Sequence, residues 1–187
     1  MKMLFIDTET GGLDPSKHSL LDIGMVATDN EKIIGTYQTY IKENEYIVAP
    51  EALEVNNLNL KEVKEKGKKY YAVIDDINCF IKNRFLDNKP VLVGHNVSFD
   101  FNFINTLFKK SGSNFNNLII HRKIDTACLL LALYSANKIP FEACSSTGAF
   151  DYFNIEVKNR HTAIGDCLAT YKLYFKILNL LKGNIDE

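Results

Sequence analysis

Met3-Leu4-Phe5-Ile6-Asp7-Thr8-Glu9-Thr10-Gly11-Gly12 is the stretch that decides how this chain folds. Its apolar run, Met3 to Ile6, has the length of a short buried strand and leads straight into two carboxylates and a glycine pair. Residues two apart in a strand project from one face, about 7 Å apart along the chain, so Asp7 and Glu9 aim at one point. Repulsion raises a pKa or splays such a pair unless a cation lies between them, and hard oxygen donors suit Mg²⁺ or Mn²⁺. The competing reading is a chance surface pair. What separates this one from chance is its place where a buried strand ends.

Outward from that strand, Leu20 to Thr28 reads as a second strand, Asp29-Asn30 as a turn and Ile33 to Ile41 as a third, an antiparallel meander. After residue 50 the pattern changes. Pro50-Glu51-Ala52-Leu53 opens a helical patch, and Val73, Ile74, Ile77, Phe80 and Ile81 give Tyr71 to Phe85 a helical stripe. Val91 to Val93 reads as a strand, Phe99 to Phe108 as a helix, Leu118 to Ile124 as a strand and Ala127 to Tyr134 as a helix. Thr162 to Leu181 closes the chain as the longest amphipathic pattern. The expected fold is α/β: a mixed central sheet with three antiparallel N-terminal strands, flanked by helices. One domain over residues 1–182, with a short tail at 183–187, accounts for the sequence.

The 187 residues are 46% hydrophobic, enough for a core without staples. Against 23 acidic side chains stand 22 basic ones, a net charge of -1, which excludes a large positive field able to hold a long duplex or a membrane surface. Any nucleic acid must be gripped locally. The dense charge run Lys61 to Lys69, KEVKEKGKK, reads either as a solvated helix end and turn or as a contact patch for a nucleic-acid backbone. Cys79, Cys128, Cys144 and Cys167 are scattered without a CxxC pair, which points to reduced thiols and an intracellular, cytoplasmic protein. No apolar run suits a signal peptide or a membrane span, so the sequon at Asn96-Val97-Ser98 lacks a secretory context.

Two further elements carry carboxylates. Gly94-His95-Asn96-Val97-Ser98-Phe99-Asp100 follows a short apolar strand at the mouth of a helix, where Asp100 is either a functional ligand or a first-turn carboxylate favoured by the helix dipole. His161-Thr162-Ala163-Ile164-Gly165-Asp166 opens the last helix. Its five-residue spacing, a little over one turn, lets His161 and Asp166 look into one cleft. Asp125 reads as a helix N-cap.

Taken together, the order DxE, D, HxxxxD resembles the DEDDh group of 3'-to-5' exonucleases, the DnaQ-like family that includes the proofreading epsilon subunit of bacterial DNA polymerase III. FIDTETGGLD, VGHNVSFDFNFI and HTAIGDCLAT are similar to its three motifs, and HSLLDIG, PEALEVNNL and IDTACL to the stretches between them. The resemblance implies an RNase H-like fold, with Asp7, Glu9, Asp100 and Asp166 holding two divalent ions, Mg²⁺ or Mn²⁺, and His161 taking a proton from the attacking water. Histidine is the side chain whose charge changes near cellular pH. The implied reaction is an in-line displacement releasing nucleoside 5'-monophosphates. Contacts to the terminal nucleotide fall to Thr8, Thr10, Gly11, Leu13, Asn56, His95, Asn96 and Phe99, each of which also has an ordinary turn or core reading.

The sequence departs from the family at Gly11, where polymerase-associated members often have Thr, and at Asp22, where Glu is usual. Neither removes a ligand. The short tail puts a proofreading-subunit role in doubt and makes a stand-alone nuclease at least an equal reading, although a polymerase partner and a homodimer both occur in the family. Single-stranded DNA 3' ends are the expected substrate, ahead of RNA trimming of the oligoribonuclease or RNase T kind. An inert binding module is the reading from a different class, and the intact set of carboxylates with His161 speaks against it.

Overall fold

The computed structural model describes residues 1–157 and 161–183 of the chain. Its six-stranded sheet has the order β4-β3-β2-β1-β5-β6, where β1 is Lys2–Thr10, β2 Leu20–Asp29, β3 Lys32–Lys42, β4 Lys68–Lys69, β5 Val91–Gly94 and β6 Lys123–Asp125. The first three strands form the antiparallel meander; β5 runs parallel to β1, and β6 parallel to β5. Helices α1 (Pro50–Asn56), α2 (Leu60–Lys66) and α3 (Tyr70–Phe85) follow β3. Next come α4 (Val97–Lys109), α5 (Thr126–Ser135), α6 (Ser146–Tyr152) and α7 (Ala163–Leu181). None of the described helices is long and apolar enough to cross a membrane.

Strand β1 is central and covered on both faces. Its odd-numbered residues Met3 and Phe5 pack toward α7, where the Phe5 ring meets Tyr171 and Tyr174 edge-on at 5.5 and 5.8 Å between centroids. Its even-numbered residues Leu4 and Ile6 join the larger core built with α3 and α4. That alternation continues past Ile6 because β2 keeps pairing with β1 through Glu9↔Asp22. The strand expected to stop at Ile6 therefore extends to Thr10, and the carboxylates lie within it. On the other side, β5 pairs only Val91–Val93 with Met3–Phe5. Beyond Phe5 that edge of β1 is open, and the start of α4 enters there.

One local reading needs correction. The strand expected over residues 118–124 is confined to Lys123–Asp125, because β5 offers partners only from Leu92 to Gly94. The apolar Ile119 is buried instead as loop, after a 3-10 turn at Phe115–Asn117 capped by Asn114. The charge run over residues 61–69, read as a helix end and turn or as a contact patch, forms most of α2, capped by Asn59, and the two-residue edge strand β4. Helix α6, capped by Ser145, escaped the periodicity reading altogether. Of the expected tail, residues 184–187 lie outside the described residues.

Candidate active site

Since odd-numbered residues of β1 face α7, Asp7 and Glu9 face the first turn of that helix, where Asp166 sits. Thr162 caps α7 by accepting the Gly165 N–H at 3.2 Å. The three carboxylates converge: Asp7, Glu9 and Asp166 each offer an oxygen within 4.8 Å of the others. Asp100 arrives from the opposite face. On the first turn of α4, its buried carboxylate accepts the Thr8 hydroxyl at 2.7 Å, so the even-numbered residue between the two acids anchors the fourth.

The electrostatics follow from this crowding. Burial first, then repulsion from Asp100, Glu9, Asp166 and Asp22, drives the Asp7 carboxyl well above its ordinary range. Burial and the charges of Asp166, Asp22 and Asp100 push Glu9 up to about 8. Asp100 is raised by burial to about 7, against the Thr8 hydrogen bond that favours its charged form. Burial and mutual repulsion thus disfavour charging Asp7, Glu9 and Asp100 together unless a cation lies between them. An all-oxygen set with this spacing fits hard divalent ions, and the raised pKa values mark what those ions would relieve.

A cleft of about 460 Å³ opens over the cluster, walled by Asp7, Thr8, Asp100 and Asp166 on one side and by His95, Asn96 and Phe99 on another. Asn96 takes the left-handed conformation (φ 57°) that turns β5 into α4, and its N–H donates to Asp125 at 3.0 Å. Asp125 also accepts the Ala127 N–H at 3.0 Å, as expected of an N-cap. The Thr126 hydroxyl donates to the Gly94 carbonyl, so its oxygen accepts from His95 Nδ1 at 3.1 Å and Nε2 carries the free lone pair. Burial lowers the His95 pKa and keeps the ring neutral.

A second cleft, about 230 Å³, shares Thr8 and Phe99 with the first and runs along Leu13, Ala52, Val55 and Asn56. Leu13 is 84% exposed and Val55 66%, an apolar lip that the core does not require. Beneath it Asn56 donates its amide to the Thr10 carbonyl at 3.1 Å, and the Thr10 hydroxyl bonds the Gly12 carbonyl at 2.8 Å. The Gly11 N–H is taken by the Ser19 carbonyl at 2.7 Å, and a Cβ at Gly11 would stand 2.4 Å from the Ile47 carbonyl. Gly11 is thus a packing requirement of the turn. His161 adopts φ 64°, and its backbone N–H points to Asp166 Oδ2 at 3.3 Å; its imidazole is not among the walls of the larger cleft.

Comparison with known proteins fits this geometry. A family model described as Exonuclease matches residues 4–174, from β1 into α7. The chain belongs to the exonuclease family. This exonuclease chain is 27% identical over 183 residues to the PolC-type DNA polymerase III of Caldanaerobacter subterraneus subsp. tengcongensis, covering 97% of the chain and 12% of that protein. It is 29% identical over 131 residues to the DNA polymerase III subunit epsilon of Treponema pallidum, 68% of the chain and 54% of that protein. The 3'-5' exonuclease DinG of Staphylococcus epidermidis is 27% identical over 171 residues, 91% of the chain and 17% of that protein. The exonuclease thus spans between 12% and 54% of the length of these relatives. Among solved structures, E. coli Exonuclease I in complex with a dT13 oligonucleotide superposes with a TM-score of 0.81 at 22% identity, over 95% of this chain and 41% of that one. Its zinc-bound form with single-stranded DNA gives 0.83 at 22% identity, over 97% and 41%. The expected RNase H-like exonuclease fold is the one observed.

Several contributors to the site escaped the sequence reading. Ser146 and Phe150 of α6 and Thr170 of α7 complete the wall of the larger cleft, and Ala52 and Val55 supply the lip of the smaller one. Asp22, noted only as a departure, accepts from Gln38 Nε2 at 2.8 Å and from the Ala163 N–H at 3.2 Å. The available signals were the cap at Ser145 and an acid placed inside an otherwise apolar strand.

Proposed function

We propose that this chain is a metal-dependent 3'-to-5' exonuclease that hydrolyses single-stranded DNA from its 3' end to nucleoside 5'-monophosphates, acting in the cytoplasm in proofreading or repair. The observation that carries the reading is the convergence of Asp7, Glu9 and Asp166 within 4.8 Å beneath an open cleft, with Asp100 tied in through Thr8. Asp7, Glu9, Asp100 and Asp166 would hold two divalent ions, which supply an activated water and neutralise charge on the phosphate and the leaving 3' oxygen.

The rest of the chemistry falls to the chain itself. His161, five residues before Asp166, is the acceptor for the proton of the attacking water, a role that requires its imidazole, outside the cleft wall in this structure, to turn in. The neutral His95 presents Nε2 as an acceptor, suited to a sugar hydroxyl or a water at the terminal nucleotide. Thr8 holds Asp100 in place from within β1. Phe99 divides the two clefts, with the phosphate beside the carboxylates and the last bases against Leu13 and Val55. Asn56, Thr10 and Gly11 fix the turn that carries Leu13.

Digestion of matched 5'-labelled DNA and RNA single strands, with Mg²⁺ or Mn²⁺ and with EDTA as control, tests the assignment. A metal-dependent ladder that shortens faster on DNA supports it. A faster ladder on RNA would move the enzyme to the RNA-trimming branch.

A further inference from the structure

A groove of about 520 Å³ lies at the same end of the sheet as the carboxylates, two strands away, and the hydrolysis just assigned makes no use of it. Lys42, Lys69, Lys110, Tyr70 and Tyr71 line it, behind a wall formed by Glu43 to Glu45. Lys42 closes β3 and Lys69 closes β4, paired in register. Glu43 is already engaged by Lys110 at 3.1 Å, and no ion pair among the described residues involves Lys42 or Lys69. Beside these two ammonium groups, the Tyr70 and Tyr71 rings meet edge-on at 5.7 Å and stand 38% and 53% exposed. The core below is filled by Val73 and Ile74, so it does not account for the tyrosines. Exposed aromatic faces beside unpaired cations are the means by which proteins hold single-stranded nucleic acid.

Position links the groove to the active site. In the sheet register Glu9 opposes Asp22 and Asp22 opposes Tyr40, with Lys42 two residues further along. Strand spacing and rise place Lys42 roughly 12 Å from Glu9. At about 3.4 Å per stacked nucleotide, that is three to four nucleotides. The segment between is tied down. Ser19 donates its N–H to the Ile47 carbonyl and its hydroxyl to Glu43, while the Ala49 N–H bonds the Gly11 carbonyl. The groove wall and the turn beside Glu9 thus form one hydrogen-bonded unit.

We propose that this groove binds the substrate strand on the 5' side of the nucleotide being removed, with phosphates against Lys42 and Lys69 and a base on Tyr71. The proposal rests on the exonuclease reading for its occupant. On a chain whose net charge is -1, a local grip of this kind supplies what a global field does not.

The test compares the wild-type chain with Lys42→Gln/Lys69→Gln and Tyr71→Ala on a dinucleotide and on a dT strand of about a dozen nucleotides. In the double variant KM for the long strand rises about tenfold with kcat unchanged, and KM for the dinucleotide stays within about twofold of wild type. Binding of the long strand in EDTA, followed by fluorescence anisotropy, loses about 1.4 from its log–log salt slope in the double variant, about 0.7 for each phosphate contact. Tyr71→Ala weakens binding with the slope intact. An unchanged salt slope, or an equal KM rise on the dinucleotide, overturns the proposal. A wild type that cleaves nothing, yet shows this slope loss in its variant, would defeat the exonuclease reading and leave the groove standing.

Discussion

The Ala163 N–H donates to the Asp22 carboxylate at 3.2 Å, joining positions 141 residues apart. This one bond seats the N-terminus of α7, and with it Asp166, on the strand next to Asp7 and Glu9. Asp22 also accepts from Gln38 at 2.8 Å, and burial raises its pKa against these bonds. Asp22→Ala strands the buried Ala163 N–H, at about 1–3 kcal/mol for a group left unsatisfied, while the exposed Gln38 amide turns to water. We expect a loss of roughly 1–3 kcal/mol in denaturant unfolding, with weaker Mn²⁺ binding. A variant as stable as wild type would show that Asp22 does not hold the helix.

Gly24 makes the same junction possible by having no side chain. A Cβ there would stand 2.3 Å from the carbonyl of Ala163 and 2.5 Å from the Ile164 nitrogen. Gly24→Ala must push the start of α7 off β2, with an overpacking cost of about 1–3 kcal/mol. Because Asp166 moves with that turn, metal affinity should fall alongside stability. Calorimetric Mn²⁺ titration at matched folded fraction checks this, and an unchanged affinity would separate the helix seat from the site.

Without metal, the acid cluster makes stability fall as pH rises. Glu9 moves from 4.5 to about 8 and Asp100 from 3.8 to about 7 on folding, so the folded protein binds more protons than the unfolded chain between those limits. Their favourable contribution is complete below about pH 4 and gone above about pH 8. Asp14, held at about 2 by hydrogen bonds from Ser16, titrates outside this window. In EDTA the Tm should therefore drop from pH 5 to pH 8, and saturating Mg²⁺ should flatten the drop. Metal binding near pH 7 should also release protons, seen as a buffer-dependent calorimetric heat.

Thr8→Val removes the hydroxyl that supports the charged form of Asp100 while keeping the strand. The Asp100 pKa then rises further, so the site needs a higher pH to load its ions. At pH 7, kcat/KM should fall about tenfold, about 1.4 kcal/mol, and recover in part at pH 9. A loss independent of pH would assign Thr8 a different role.

Much of the site was legible because it lies on regular elements. Period-two alternation put Asp7 and Glu9 on one face, and the helix starts around Asp100 and Asp166 followed from apolar stripes. The long-range register was not legible. The Thr8–Asp100 and Asp22–Ala163 bonds depend on which strands are neighbours, which local patterning does not specify. The apolar stretch around Ile119 misled because a buried loop and a buried strand are equally apolar. Helix α6 is barely two turns long, too short for a stripe to repeat, yet it carries Ser146 and Phe150 to the cleft wall.

An acid cluster that removes nucleotides singly from a 3' end leaves a distinct order of label loss. One single-stranded DNA oligonucleotide, labelled in separate samples at its 5' and its 3' terminus, is digested in Mn²⁺ by wild type and by Asp7→Ala. We expect the 3' label to leave first as a mononucleotide, the 5' label to step down a ladder one residue at a time, and Asp7→Ala to do neither. Internal cuts, release of the 5' label first, or an Asp7→Ala ladder matching wild type would contradict the exonuclease reading.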